Sequence, residues 1–208
     1  MNEAIAAGEL DAVVYGDFPA FVGKSNGADT TLIASVNTDL QYGIVVANDE
    51  IQDPKDLEGK NVIVPEGTAI QSYVYMGVGR ILDTGAGIEN AHSTYLTAVK
   101  TSYLKENPDA AVAINKALID AYDSVLKDAN VLYTSSAGTN LPAEEWEKVY
   151  AYDTSFSYLT PEITDSEREY FENFNQWLVD HKLLKEKLDL DSFVDTSYYE
   201  KAVKSLDK

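Results

Sequence analysis

Residues 64–69, Val-Pro-Glu-Gly-Thr-Ala, have the pattern of a buried strand that ends and turns into a helix. The first N–H groups of a helix have no partner inside it and carry a partial positive charge, so an anion binds readily there. Gly67, Thr68 and Ala69 would supply these groups, and the Thr68 hydroxyl would be a further donor to a sulfonate, phosphate or carboxylate. Plain N-capping of a structural helix fits the same residues, and both interpretations stay open.

A second polar turn, Gly16-Asp17-Phe18, follows the apolar residues 10–15, which predict a short buried strand. Ligands of open α/β sheets bind at the carboxyl ends of strands. In such a site Asp17 would accept a hydrogen bond from an amine or hydroxyl, and Phe18 would form an apolar wall. The alternative is that Asp17 caps its own helix.

A third set of candidates lies between two β-branched runs, residues 31–36 and 42–47, which predict two strands. Asn37 and Thr38 fall in the polar join between these strands, and Tyr42 begins the second strand. Their side chains would donate to a ligand in a cleft. Hinge or turn roles are equally open.

Bulk composition excludes several classes of function. The 208 residues carry a formal net charge of −19, which opposes binding of nucleic acid because such binders need Lys and Arg against the phosphates. The absence of cysteine excludes disulfides, thiolate nucleophiles and cysteine-ligated metals. His92 and His181 have no carboxylate or second histidine at ligand spacing, so capping or surface roles are favoured. The sequence predicts no metal and no cofactor.

The helices are marked by their caps. Asn107-Pro108-Asp109 predicts a helix start, and Thr164 and Glu167 have the spacing of a capping box. Apolar residues share one face in each helix: Ile114, Leu118, Ala121, Tyr122 and Val125 in the first, and Phe171, Phe174 and Leu178 in the second. Residues 2–8 predict the end of a helix, 53–59 a capped turn and 61–64 a strand. Strands first and long helices last predict an α/β lobe with helices on its outside.

Four segments, found in this order, resemble substrate-binding proteins of ABC importers of the nitrate, sulfonate and taurine type, which includes binders of thiamine-precursor pyrimidines. These segments are AIAAGELDAVVYGDFPAF (4–21), GADTTLIASVNTDLQYGIVV (27–46), IQDPKDLEGKNVIVPEGTA (51–69) and YLTAVKTSYLKENPDAAVAINKAL (95–118). The tail, residues 189–203, resembles the end of the same proteins.

The resemblance implies a type II periplasmic-binding-protein-like α/β fold with a truncated second lobe. Residues 1–43 and 95–208 would form lobe one, with the C-terminal helices packing on it, and residues 44–94 a reduced lobe two. The chain would cross between lobes at 42–47 and 94–101. Against the family pattern, the first strand is absent before Asn2, and residues 76–79 join two parts of lobe two that are normally far apart in sequence.

The function implied by the resemblance is that of an extracytoplasmic solute-binding component, not an enzyme. Its partners would be a small solute (sulfonate, taurine, nitrate or pyrimidine precursor) and an ABC permease in the membrane. The parent protein would be periplasmic or a cell-surface lipoprotein, although this sequence carries no export signal. The alternatives are a truncated remnant that binds nothing tightly, or an enzyme of pyrimidine-precursor synthesis on the same fold.

Overall fold

A computed structural model describes residues 1–41, 44–46, 48–60, 80–83, 92–136, 142–151 and 154–206. The chain divides into two compact units: unit 1 holds residues 1–40, 93–123 and 158–208, and unit 2 holds 41–92 and 124–157. The changes of unit near residues 40 and 92 lie close to the lobe boundaries expected from the sequence, whereas 124–157 group with unit 2. The assignment of lobes stays a prediction.

The described residues form short strands in the first half and helices in the second. The strands are β1 (Ala12–Gly16), β2 (Thr30–Gln41), β3 (Ile44–Val46), β4 (Arg80–Asp83) and β5 (His92–Lys100). The α-helices are α1 (Asn2–Ala6), α2 (Asp17–Ser25), α3 (Thr101–Glu106), α4 (Pro108–Lys127), α5 (Asn130–Ser136), α6 (Ala143–Tyr150), α7 (Asp165–Asp180), α8 (Leu190–Phe193) and α9 (Ser197–Leu206). None of the helices in these ranges is long and apolar enough to cross a membrane.

The sheet of unit 1 has the strand order β1-β5-β2. β5 runs antiparallel to β1, with Gly16 opposite Tyr95 and Ala12 opposite Val99. On one face Val13, Tyr15, Leu96 and Ala98 are buried in the main core, as expected from strands that alternate between two faces. The predicted strand before Gly16 is thereby confirmed.

The predicted polar loop at residues 37–39 is wrong, because β2 continues without a break from Thr30 to Gln41. The backbone N–H of Ser35 donates to Pro161 O at 3.0 Å, and that of Thr38 donates to Tyr158 O at 2.7 Å. A segment far along the chain therefore satisfies the backbone of β2, so polar residues stay extended where their types favour a turn.

Phe21 of α2 is at the centre of the core of unit 1. Its ring meets Phe171, Phe174 and Phe193 edge to face, with centroids 5.7, 5.3 and 5.5 Å away. Phe171, Phe174 and Leu178 are all buried on one side of α7, which confirms the face predicted for that helix.

The other face of the sheet lies against α4, which begins at Pro108 as predicted. Ile114 and Leu118 pack against a cluster that contains Ile33 and Val99. Ala121, expected on the same apolar face, is exposed. Val125, expected on that face, is buried, and so are Ala111 and Asn115, whose amide donates to Ala111 O at 3.0 Å.

Unit 2 contains the antiparallel pair β3 and β4. The capped turn predicted at 53–59 is confirmed as a 3₁₀ helix, Pro54–Leu57, with a capping box between Asp53 and Asp56. The predictions for residues 61–64, 67–69 and 76–79 lie outside the described residues. In the helices of this unit, the ring of Tyr150 stacks on Tyr133 and Trp146.

Candidate functional site

Two predicted site residues, Gly16 and Asn37, lie with Tyr95 of β5 at one edge of the sheet of unit 1. Tyr95 lies opposite Gly16, and its backbone N–H donates to Asn37 Oδ1 at 3.1 Å. At the other end of the strands the hydroxyls of Thr31 and Thr101 are 2.9 Å apart, so β2 also runs antiparallel to β5. The carboxyl end of β1, the start of β5 and residue 37 of β2 therefore form a continuous edge.

Asp17 lies directly after β1 at this edge and is 2% exposed. Its carboxylate accepts hydrogen bonds from four donors: Tyr170 Oη at 2.7 Å, Thr94 N at 3.0 Å, Phe18 N at 2.7 Å and Ser93 Oγ at 3.4 Å. Burial raises the pKa of Asp17 above its ordinary value, while these four hydrogen bonds act in the opposite direction.

These contacts indicate that Asp17 has a structural role at this edge of the sheet. The Asp17 side chain accepts from the adjacent backbone N–H of Phe18, but the N-cap of α2 is Gly16 and no side chain makes the cap hydrogen bond. The other three donors come from β5 and α7. A carboxylate with its oxygens occupied in this way holds the Gly16–Phe18 turn against the sheet. It also leaves α2 a poor anion site, because Phe18 N–H is taken and Pro19 has no N–H.

The surface of the edge is aromatic. Phe18 is 44% exposed and Tyr95 is 40% exposed, although apolar side chains of this size are commonly buried. Asn37 and Thr38 are half-buried beside them. The edge can therefore offer ring surfaces and an amide to a small molecule.

Tyr95 is a candidate that the sequence predictions missed. The signal available was strand periodicity: Leu96 and Ala98 alternate into the core, so Tyr95 must lie on the opposite face. An aromatic residue on an outward position next to a strand end is the pattern that points to it.

A second acid, Glu167 of α7, is buried behind the edge and is 5% exposed. Its Oε1 accepts from Ser35 Oγ at 3.1 Å, and its Oε2 is buried with no hydrogen-bond partner in the part of the chain that the structure describes. Burial raises the pKa of Glu167 to about 7, the charge of Asp17 adds to this rise, and the hydroxyls of Ser35 and Thr94 oppose it. Thr164 caps α7 through Glu167 N at 3.2 Å, but the buried Glu167 carboxyl faces Ser35.

The remaining predicted site residues, Tyr42, Gly67, Thr68 and Ala69, lie outside the described residues. His181 caps the end of α7, where its ring stacks on Trp177 at 4.1 Å, in agreement with the capping role. Across the described ranges, no group of three or more His, Cys, Asp or Glu side chains is placed to hold a metal ion.

No family model and no curated protein matches this sequence. Solved structures do match. SsuA of Methylobacillus flagellatus KT, described as a periplasmic sulfonate-binding protein of an ABC transporter, aligns at a TM-score of 0.73 and 18% identity over 100% of this chain and 78% of that one. The alkanesulfonate-binding SsuA of Xanthomonas axonopodis pv. citri, bound to MOPS, aligns at 0.66 and 14% over 94% and 83%. A DSZB mutant in complex with biphenyl-2-sulfinic acid aligns at 0.70 and 11% over 97% and 88%.

These likenesses define the fold. The chain has the mixed α/β, periplasmic-binding-protein-like fold that the resemblance implies, which confirms the predicted fold class. Within that fold, its structural neighbours include sulfonate-binding proteins of ABC importers, the group indicated by the four sequence segments.

Proposed function

We propose that this chain is a solute-binding component of an ABC importer and that the edge formed by Gly16, Phe18, Asn37, Thr38 and Tyr95 is part of its solute site. The observation that carries the proposal is the pair of exposed aromatic rings, Phe18 and Tyr95, at a strand end in a fold shared with sulfonate-binding proteins. Asp17 is buried and holds the Gly16–Phe18 turn through its hydrogen bonds with α7 and β5. Tyr42, Gly67, Thr68 and Ala69 stay proposed solute-binding residues on the strength of the sequence alone.

The proposed solute has an anionic group and a hydrocarbon part, as in an alkanesulfonate. Packing an apolar solute surface against the exposed rings is favourable, because it removes both surfaces from water. Nitrate has no apolar surface. The helix start predicted from the sequence at Gly67–Ala69 stays a proposed site for an anionic group. The proposed partners are this solute and a membrane permease, and the proposed location of the parent protein is extracytoplasmic.

A second candidate is an enzyme, since DSZB in complex with biphenyl-2-sulfinic acid shares the fold. Binding without catalysis is proposed first because the described carboxyl groups at the edge, Asp17 and Glu167, are buried and face protein atoms. Conversion of any bound sulfonate or sulfinate into a product would instead establish the enzyme.

A Phe18→Ala variant tests the site. Removing an exposed ring that contacts solute is expected to weaken binding by roughly tenfold or more, with unfolding unchanged to within about 0.5 kcal/mol. Calorimetric titration with taurine, hexanesulfonate, nitrate and an aminopyrimidine measures the first effect. Solute at a hundred times its dissociation constant should also stabilise wild type by about 2.7 kcal/mol.

The matched control is Leu206→Ala, because Leu206 is also 44% exposed and lies at the end of α9 in the same unit. It should leave binding unchanged. Equal binding by Phe18→Ala and wild type would contradict the site, and no binding of any solute by wild type would favour the remnant.

A further inference from the structure

Among the residues of unit 1 whose burial the structure describes, two acids are buried, and they differ in how their charge is satisfied. Asp17 accepts from four donors, two of them backbone N–H groups. The carboxyl of Glu167 faces two hydroxyls, that of Ser35 at 3.1 Å from Oε1 and that of Thr94, and its Oε2 makes no hydrogen bond among the described residues. A buried carboxylate with so few donors is costly. Of the two groups, Glu167 is therefore the one that keeps its proton to a higher pH.

Ser35 connects Glu167 to the solute edge. Its Oγ lies 3.1 Å from Glu167 Oε1 and 3.4 Å from the backbone carbonyl oxygen of Asn37. A serine hydroxyl has one proton to donate and two lone pairs to accept with. It can donate to an ionised Glu167 or to the Asn37 carbonyl, but not to both at full strength. Asn37 in turn accepts from Tyr95 N through its side chain.

We propose that Glu167 is a positioning residue for the solute edge: in its protonated form it donates to Ser35 Oγ, which releases the Ser35 hydroxyl to donate to Asn37 O and fixes Asn37 beside Tyr95. In its ionised form Glu167 accepts the hydrogen bond of the Ser35 hydroxyl, and the Asn37 carbonyl loses its donor. The coupling of this switch to solute affinity rests on the proposed function. Solute then binds more tightly when Glu167 is protonated.

The groups that face Glu167 are consistent with its carboxyl gaining or losing a proton independently of them. α2 contributes Asp17, whose charge raises the pKa of Glu167, and Tyr170 donates to Asp17 from α7 itself. α4 contributes Tyr122, whose pKa is raised by burial and by the Glu167 charge, so it stays a neutral phenol. β2 and β5 contribute the hydroxyls of Ser35 and Thr94. Protonation thus changes the charge of one carboxyl in this cluster.

The test combines nuclear magnetic resonance with binding. In solute-free protein, the ¹³C carboxyl signal of Glu167 should titrate near pH 7, and the Thr38 amide, which shares a peptide group with the Asn37 carbonyl, should shift with the same midpoint. Ser35→Ala should abolish the Thr38 shift while Glu167 still titrates. Glu167→Gln, whose amide donates to Ser35 at every pH, should also abolish it.

Hexanesulfonate and taurine are the binding probes. In wild type the dissociation constant should rise at least about fivefold from pH 6 to pH 8.5, the lower end of usual couplings between sites. Glu167→Gln should bind with the low-pH affinity throughout, and the exposed Glu169→Gln on the same helix should behave as wild type.

The outcomes separate the inference from the proposed function. A Thr38 shift that tracks Glu167 in wild type and disappears in Ser35→Ala supports the switch, even if neither probe binds and the proposed function fails. The switch is overturned if the Glu167 carboxyl does not titrate near neutrality, or if the Thr38 amide shift does not change with the protonation of Glu167. Binding with no pH dependence in wild type also overturns it.

Discussion

A Glu167→Gln variant is expected to gain stability relative to wild type as the pH rises from about 5 to about 8. Burial, above all, raises the pKa of Glu167 from its ordinary 4.5 to about 7. The folded chain therefore holds a proton that the unfolded chain releases at lower pH. This stabilisation is complete below about pH 4.5 and is lost as the pH rises through about 7. The difference corresponds to roughly 3 kcal/mol.

Urea unfolding of both proteins at pH 5, 6, 7 and 8 measures the effect. Because Gln does not titrate, the free energy of unfolding of the variant minus that of wild type should grow by about 2.5 kcal/mol over this range. Glu169→Gln, an exposed change on the same helix, should give a flat difference. A flat difference for Glu167→Gln as well would mean that Glu167 is ionised in the folded protein.

A Phe21→Ala variant is expected to lose about 3–5 kcal/mol of stability, the usual cost of removing a large aromatic side chain from a core. Phe21 is fully buried and meets three phenylalanine rings that come from α7 and α8. Thermal and urea unfolding measure the loss.

Phe18→Ala is the matched comparison, since Phe18 lies one turn earlier on the same helix but is 44% exposed. It should unfold nearly as wild type does and lose solute binding instead. Similar destabilisation by the two variants would show that the packing of α2 differs from the arrangement described.

Local signals in the sequence predict much of the fold. The helix starts at Pro108 and Thr164 follow from caps and apolar spacing, and both are observed. The strand before Gly16 follows from its apolar run. These features depend on residues within a few positions of each other, so the sequence displays them directly.

The features that sequence patterns missed depend on distant contacts. Residues 37–39 have turn-forming types, yet they stay extended because the chain near Tyr158 pairs with β2. Glu167 stands at a capping-box position, where an exposed carboxylate is usual, yet it is buried against Ser35, which is 132 residues away along the chain. Tyr95 needed strand register to be placed beside Gly16.

The most direct test of the proposed site is to map solute contacts by amide chemical shifts in the ¹⁵N-labelled protein with saturating hexanesulfonate. The largest shifts within unit 1 should fall on Phe18, Asn37, Thr38 and Tyr95, and Phe18→Ala should reduce them at the same concentration. Hexanesulfonate shifts confined to the distant end of the sheet, around Thr31 and Thr101, would contradict the proposed site. So would the absence of shifts with hexanesulfonate, taurine, nitrate and an aminopyrimidine.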